Sequence, residues 1–387
     1  MSKNDEKIKV VLIDPWGIAN TSEYLNGLIF GLSKFVDLKV FTNAYFMKKT
    51  DSKADIHRVF FKRSEQMKPS KYRKILRGFE YILGYLKILF YLRQMESADV
   101  IHINWLLNYK LDVFFLKCLK RHTKQLVYTA HNVLPHINGE NSIDVLRTIY
   151  SLCNRIVLHG NCIKEEFEVY FPNQVKKIYI QKHGGNIKPN IAFNTSEVST
   201  DIVQKVNAFE KRFIFFGRVF RNKGADRIIS SWDSSWDDTL LIIAGHWDGE
   251  YSEMDECLKK IEASKNILLL NEYVNDNTLN YLITNSQLIV LPYRHASMSG
   301  VVFTAADFNK TVLCTNVGAL PEYLVNNEDS FIVDNDDLAI AEKLKFIHSQ
   351  VTKSELTDMG VNLHDNILKK CSWEVVANKL VEECYLK

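Results

Sequence analysis

The chain alternates short apolar runs with segments of helical spacing, and it does so twice, on either side of one polar interruption. Residues 8–14 read as a buried strand, 15–22 as a turn-rich exit, 23–35 as a helix with Tyr24, Leu28 and Leu32 on one face, and 36–42 as the next strand. The pattern continues with strands at 99–105, 125–131, 155–159 and 177–181, and a helix at 111–119. From Asn186 to about Asn207 the rhythm gives way to polar residues and a proline, which signals a linker. A second series opens at 212–218 and runs through 240–244, 267–270, 288–291 and 312–315, with helical segments between. Strands alternating with helices build parallel sheets covered on both faces. The expected class is therefore α/β, with doubly wound domains at 1–190 and 211–370 joined by a linker at 191–210.

Composition removes several other classes. The 387 residues carry 49 basic and 46 acidic side chains, a net +3, with 46% hydrophobic and 25% charged residues, which excludes a disordered chain and a collagen-like repeat. The seven cysteines are scattered and none forms Cys-x-x-Cys, so neither a zinc knuckle nor a redox pair is visible. The polar start lacks an apolar signal core, which gives the expectation of a cytoplasmic chain. The longest apolar candidate for a membrane span, 78–92, is interrupted by Glu80 and Lys87.

In doubly wound sheets ligands bind beyond the carboxyl ends of the strands, so the strand exits hold the candidates. His131 directly follows the strand at 125–131 and either projects into a cleft or is satisfied by a loop carbonyl. Gly217-Arg218-Val219-Phe220-Arg221-Asn222-Lys223-Gly224 places two cations beside a coming helix, suited to a diphosphate or simply to a solvated turn. Pro292-Tyr293-Arg294-His295-Ala296-Ser297-Met298-Ser299-Gly300 sets small residues before a helix, where backbone N–H groups can cradle an anion. Residues 62–95 hold nine Lys or Arg against two Glu, with Ile75, Leu76, Phe79, Ile82, Leu83, Leu86, Leu89 and Phe90 at helical spacing. That stretch fits either an anionic membrane surface, with Lys71, Arg73, Lys74 and Arg77 as the contacts, or a core helix with a charged entrance. No nucleic-acid-reading module is present, so nucleic acid is not an expected partner.

Two α/β halves, the strand-end His131, Gly-Arg-x5-Gly at 217–224, and the small-residue loop before Val317-Gly318-Ala319-Leu320-Pro321-Glu322 resemble the GT-B glycosyltransferases. Among them the resemblance is to the retaining family 4 enzymes of bacterial cell-envelope glycans. It implies two Rossmann-like domains facing a cleft, with a C-terminal helix at 371–387 packing back toward the first domain. Carried onto this chain, it implies that Arg218 and Lys223 hold the donor pyrophosphate, with backbone amides of Ser299, Gly300, Val301 and Val302 and the neighbouring Ser297. Tyr273 and Val274 fall on the segment bordering the nucleobase, Gly245 beside the donor, and His131 near the transferred hexose. Ala19 and Asn20 stand where relatives have paired glycines on the acceptor side, and Ser297 and Ala305 where they have the two glutamates of Glu-x7-Glu.

The implied activity is transfer of a hexose from a nucleotide sugar, UDP favoured over GDP, in bacterial surface polysaccharide assembly. The implied acceptor is a glycan or a polyprenyl-diphosphate-linked sugar at the inner face of the plasma membrane. No cofactor is implied, and no essential metal, since no Asp-x-Asp motif is seen in a strand-end loop suited to holding one. The alternatives are a non-catalytic GT-B subunit that binds a glycan or a partner enzyme, and a UDP-sugar 2-epimerase, which would need carboxylates in the cleft.

Overall fold

The computed structural model describes residues 7–18, 21–95, 97–135, 140–185, 192–247, 253–296 and 299–387. The chain divides into two units, Met1–Gly185 with Cys371–Lys387, and Asn186–Lys370.

The first unit holds seven parallel strands in the order β3-β2-β1-β4-β5-β6-β7. They are β1 (Lys9–Asp14), β2 (Asp37–Asn43), β3 (Asp55–Phe60), β4 (Ala98–Ile103), β5 (Thr123–Thr129), β6 (Arg155–Leu158) and β7 (Ile178–Ile180). Helices α1 (Thr21–Phe35), α2 (Lys71–Gln94), α3 (Tyr109–Leu119), α4 (Ile143–Leu152) and α5 (Asn161–Tyr170) connect them. Alternate residues of the strands feed two cores. Val11 and Ile13 join Tyr81, Tyr85 and Ile88 of α2 on one face. Val10 and Leu12 join Leu25, Leu28 and Leu32 of α1 on the other, together with Trp373 from the returning C-terminal segment. The 24-residue α2 starts where the Ser70 side chain accepts the Arg73 N–H at 3.1 Å, a serine N-cap.

The second unit holds six parallel strands in the order β10-β9-β8-β11-β12-β13. They are β8 (Lys211–Phe216), β9 (Thr239–Ala244), β10 (Ile267–Leu270), β11 (Leu288–Leu291), β12 (Thr311–Thr315) and β13 (Ser330–Val333). Around them run α6 (Thr200–Asn207), α7 (Ala225–Ser231), α8 (Met254–Ala263), α9 (Asp276–Thr284), α10 (Val301–Asp307), α11 (Leu320–Tyr323), α12 (Asp337–Gln350) and α13 (Lys353–Cys371). The chain then returns to the first unit as α14 (Trp373–Leu380).

Three expectations change. Residues 200–207, inside the stretch read as linker, form α6, whose Val206 is buried. Strand β3 was missed because an edge strand with the sequence Asp-Ile-His-Arg-Val-Phe buries only its last residue fully. Strand β13, at the edge of the second sheet, was missed as well. No helix among the described residues is long and apolar enough to cross a membrane.

In both sheets the strand order reverses once, between β1 and β4 and between β8 and β11. Adjacent connections leave toward opposite faces at such a point and open a crevice at the carboxyl edge.

Candidate active site

At the crevice of the first sheet, Asp14 ends β1 and Asn104 follows β4, the two strands pairing Ile13 with Ile103. Both side chains are fully buried. Asp14 Oδ1 accepts the backbone N–H of Trp16 at 3.0 Å and of Gly17 at 2.9 Å, while Oδ2 accepts Asn104 Nδ2 at 2.6 Å. Burial pushes the Asp14 carboxyl up to about 6 against these hydrogen bonds. Gly17 sits at φ +48°, and a Cβ there would lie 2.2 Å from Thr42 Oγ1, so this turn needs glycine.

His131 completes a chain of side chains. Its Nε2 lies 3.2 Å from Asn104 Oδ1. With the Asn104 amide N–H committed to Asp14, its oxygen is the acceptor, so His131 donates from Nε2 and presents Nδ1 as an acceptor. Trp105 stacks on the His131 ring at 4.2 Å and 8°. Burial, then the neighbouring His159, His183 and His102, hold the imidazole well below its usual pKa of 6.5. The ring is therefore neutral near pH 7. Tyr24 meets His131, His159, His183 and Trp373 edge-on, with centroids 5.0 to 5.3 Å apart. His159 donates from Nδ1 to the Gln181 carbonyl, 3.2 Å away, and its buried Nε2 has no partner among the described residues. A polar layer thus follows β1, β4, β5 and β6 in one unit.

The second crevice is built on glycines. Gly217 leaves β8 at φ +103°, and Gly245 leaves β9 at φ +154°, where a Cβ would stand 1.9 Å from the Gly217 carbonyl oxygen. Gly224 has φ +71°, and a Cβ there would meet the Pro292 oxygen at 2.0 Å. These approaches press the 217–224 turn onto the exit of β11. Arg294 locks the same contact, donating to both Asp226 oxygens at 2.9 and 2.5 Å and to the Arg221 carbonyl at 2.8 Å.

Lys223 and the serine turn come together through a residue outside the sequence-derived set. The Lys223 ammonium lies 3.9 Å from the centroid of the buried Tyr293 ring, and the Tyr293 hydroxyl is 3.2 Å from Ser299 Oγ. Lys223 is half-buried, and burial lowers its pKa. Burial raises the Tyr293 phenol to about 12. Arg218 is exposed, its guanidinium 5.4 Å from the Phe220 ring centroid. Gly300 is exposed with open space around its Cβ position.

The amide cradle differs from expectation. Ser299 Oγ accepts the Val301 N–H at 3.3 Å, and the Val302 N–H points to the Ser299 carbonyl at 3.4 Å. The turn therefore satisfies these two amides itself. The Val302 side chain is core. Tyr273 is 86% exposed after β10, and Val274 is half-buried. Ala305 is fully buried in α10. Ala19, Asn20 and Ser297 lie outside the described residues. No group of three or more His, Cys, Asp or Glu among the described residues is arranged to hold a metal ion.

Helix α2 is more than a core helix. Ile75, Phe79 and Phe90 are 72%, 56% and 62% exposed on its outer side, next to the exposed Lys71 and Lys74. Two of its arginines meet an acidic neighbour. Arg77 donates to Glu65 at 2.6 Å, and Arg73 pairs with the same carboxylate at 3.5 Å.

Residues 199–359 match the family described as glycosyl transferases group 1. Over 273 residues the chain is similar to the GPI3 subunit of the phosphatidylinositol N-acetylglucosaminyltransferase of Saccharomyces cerevisiae, at 24% identity, covering 66% of this chain and 56% of that protein. It is 26% identical over 171 residues to the capsular polysaccharide biosynthesis glycosyltransferase CapM of Staphylococcus aureus, 43% of each chain. The chain spans about half the length of these curated relatives. Among solved structures it resembles a glycosyltransferase of Rickettsia africae at 14% identity and a TM-score of 0.68, covering 98% of this chain and 99% of that one. The Anabaena protein HepE, solved in complex with UDP, aligns at 14% identity and a TM-score of 0.66, covering 97% and 99%.

Proposed function

The chain carries a group 1 glycosyltransferase domain on the GT-B fold, and from that premise we propose that it transfers a hexose from a nucleotide sugar to a glycan or a polyprenyl-diphosphate-linked acceptor. The observation that carries this reading is the convergence of Lys223, Tyr293 and Ser299 at the crevice of the second sheet, inside the matched domain. A half-buried ammonium held over a ring lacks a carboxylate in that contact and gains from a phosphate. Arg218 adds a planar, exposed cation on the same strand exit. Together they stabilise negative charge developing on the departing diphosphate, which is the main demand of glycosyl transfer. The bound UDP of HepE supports UDP over GDP as the nucleotide.

In this reading the neutral His131 positions the transferred sugar, accepting a hydroxyl proton at Nδ1. The acceptor hydroxyl attacks the anomeric carbon on the leaving-group face, a phosphate oxygen takes its proton, and configuration is retained, as in family 4. The exposed apolar side of α2 with Lys71 supports contact with an anionic membrane at the cytoplasmic side. The buried Ala305, where relatives present a carboxylate, favours a second reading, a GT-B subunit that binds a glycan or partner enzyme without turnover.

Thermal shift against UDP, GDP, ADP and CMP separates these readings, because a ligand at a hundred times its Kd adds about 2.7 kcal/mol to stability. A selective UDP shift followed by sugar release in acceptor assays supports the transferase. A shift without turnover selects the binding subunit. Lys223→Ala is expected to weaken UDP binding about tenfold, the cost of losing one charge-assisted contact. Unchanged affinity in that variant removes Lys223 from the phosphate site. His131→Ala is expected to lower kcat by about 10²-fold with little change in UDP affinity, as for loss of one preorganised hydrogen-bonding group. Full activity assigns His131 to packing alone.

A further inference from the structure

A second cationic site lies in the first unit, apart from the Lys223 cluster. Trp16 after β1, Leu107 after β4, and Glu65, Arg73, Lys74 and Arg77 line an open pocket of about 470 Å³. Three cations face one carboxylate there. Glu65 orders the two guanidiniums more than it cancels them: one of its oxygens takes Arg77 Nη1 at 2.6 Å, and the other lies 3.5 Å from Arg73 Nη2. Arg73 Nε donates to the Ser64 carbonyl at 2.9 Å, which fixes the plane of its head. The Arg77 guanidinium stacks 3.9 Å over the Phe61 ring. Phe61 itself holds a left-handed backbone, φ +57°, which is costly for a bulky residue and is retained where the surroundings demand it. Its ring is 1% exposed and parallel to Tyr81 at 6.0 Å, so Arg77 rests on a rigid platform.

The opposite wall is aromatic. Trp16 is 41% exposed, and its backbone N–H is pinned to the buried Asp14. Its ring lies 6.0 Å from Trp105, which in turn stacks on His131. Two ring contacts therefore link a wall of the pocket to the side chain that the proposed reaction needs.

We infer that this pocket binds a phosphate group carried on the acceptor, with the attached sugar ring against Trp16. Two oriented guanidiniums and an ammonium match the oxygens of a phosphate, and Arg forks take such oxygens in pairs. A flat, half-exposed indole matches the apolar C–H face of a sugar ring. The inference rests on the transferase reading for the word acceptor, while the pocket's phosphate chemistry stands on its own residues. It assigns Arg73 and Arg77 to substrate recognition and leaves Lys71 and the outer side of α2 to the membrane.

Calorimetric titration of the full chain with glucose 1-phosphate, with geranyl diphosphate and with glucose tests it. Glucose 1-phosphate is expected to bind the wild type, at least tenfold more weakly in Arg73→Gln/Arg77→Gln, at least threefold more weakly in Trp16→Leu and Lys74→Gln, and unchanged in Lys223→Ala. Neutral glucose is expected not to bind. Geranyl diphosphate binding tighter than glucose 1-phosphate, and lost in the double variant, places the phosphate on a lipid carrier; the reverse order places it on the glycan. Absence of binding for both phosphates at millimolar concentration overturns the inference. So does binding lost in Lys223→Ala and kept in the double variant. If the double variant does not fold, wild-type affinity in both Trp16→Leu and Lys74→Gln overturns it instead. UDP thermal shifts on the same samples separate the two proposals. A UDP shift without phosphate binding removes this pocket alone, and phosphate binding through Arg73 and Arg77 without any nucleotide shift removes the transferase reading alone.

Discussion

Acidification from pH 7 to pH 5 is expected to lower the unfolding free energy of the first unit by at least roughly 2 kcal/mol. Four histidines gather at or near the carboxyl edge of its sheet. Burial holds His102 and His159 down to about 3 and His183 to about 4, and burial with neighbouring imidazoles holds His131 well below 6.5. Each stays neutral in the folded chain and takes up a proton on unfolding below about pH 6.5, so each withdraws stability as the pH falls. Integrated from pH 7 to 5, His102, His159 and His183 together remove roughly 5 to 6 kcal/mol, and His131 acts in the same direction.

Two carboxyls act in the opposite direction. Burial raises Asp14 to about 6 and Asp112 to about 7. The folded chain binds their protons first, so protonation adds stability as the pH falls through those values, offsetting roughly 3 to 4 kcal/mol. The histidines prevail, four against two. Urea unfolding followed by hydrogen exchange in β4 to β7 measures the effect unit by unit. A flat or rising stability between pH 6.5 and 5 means that the imidazoles protonate in place and that water reaches them. The same window bears on function, because a neutral Asp14 accepts more weakly from the Asn104 amide that sets the His131 tautomer.

What the sequence displayed and what it hid divide along a physical line. Strands β1, β8, β9 and β11 are buried on both faces and appear as unbroken apolar runs. Edge position hides β3, while β13 was missed although it is as long as the recognised β10 and β11. The glycines at 217, 224 and 245 mark sharp exits in the sequence, and the structure gives each a positive φ. Asp14 and Asn104 look like ordinary strand ends, because the bond that joins them spans 90 residues and depends on β1 pairing with β4. The one available signal was a polar residue at the end of an apolar strand, repeated at the exits of two strands. Tyr293 was visible as part of a loop, but its place between Lys223 and Ser299 depends on Gly224 meeting Pro292. Arg73 and Arg77 read as membrane-facing because a helical wheel shows their charge and not the Glu65 carboxylate that they meet.

Trp373→Ala is expected to cost the first unit about 3 to 5 kcal/mol, the range for deleting a large buried ring. The indole is 3% exposed and occupies space that two glycines leave open, while a third faces its backbone. A Cβ at Gly27 would lie 2.0 Å from its ring, and one at Gly184 2.4 Å; at Gly31 a Cβ would meet its carbonyl oxygen at 2.2 Å. Glycine on one side and tryptophan on the other form a single fitted contact between α1 and the returning segment. The loss reaches the proposed site by two routes. Trp373 packs edge-on to Tyr24 at 5.1 Å and beside His183 at 5.8 Å, the rings that surround His131. Tyr385, five residues beyond the end of α14, contacts His102 Nδ1 through its hydroxyl at 2.5 Å, and His102 Nε2 contacts Thr129 on β5 at 2.7 Å. Loosening the segment therefore frees one side of the histidine layer. Denaturant unfolding with exchange-resolved readout is expected to show the loss in β1 to β7 and leave β8 to β13 unchanged. A loss under 1 kcal/mol, or one shared equally by both units, contradicts the fitted contact. Turnover measured at a temperature where the variant remains folded is expected to fall with UDP affinity preserved, since the phosphate cluster of Lys223, Tyr293 and Ser299 belongs to the other unit.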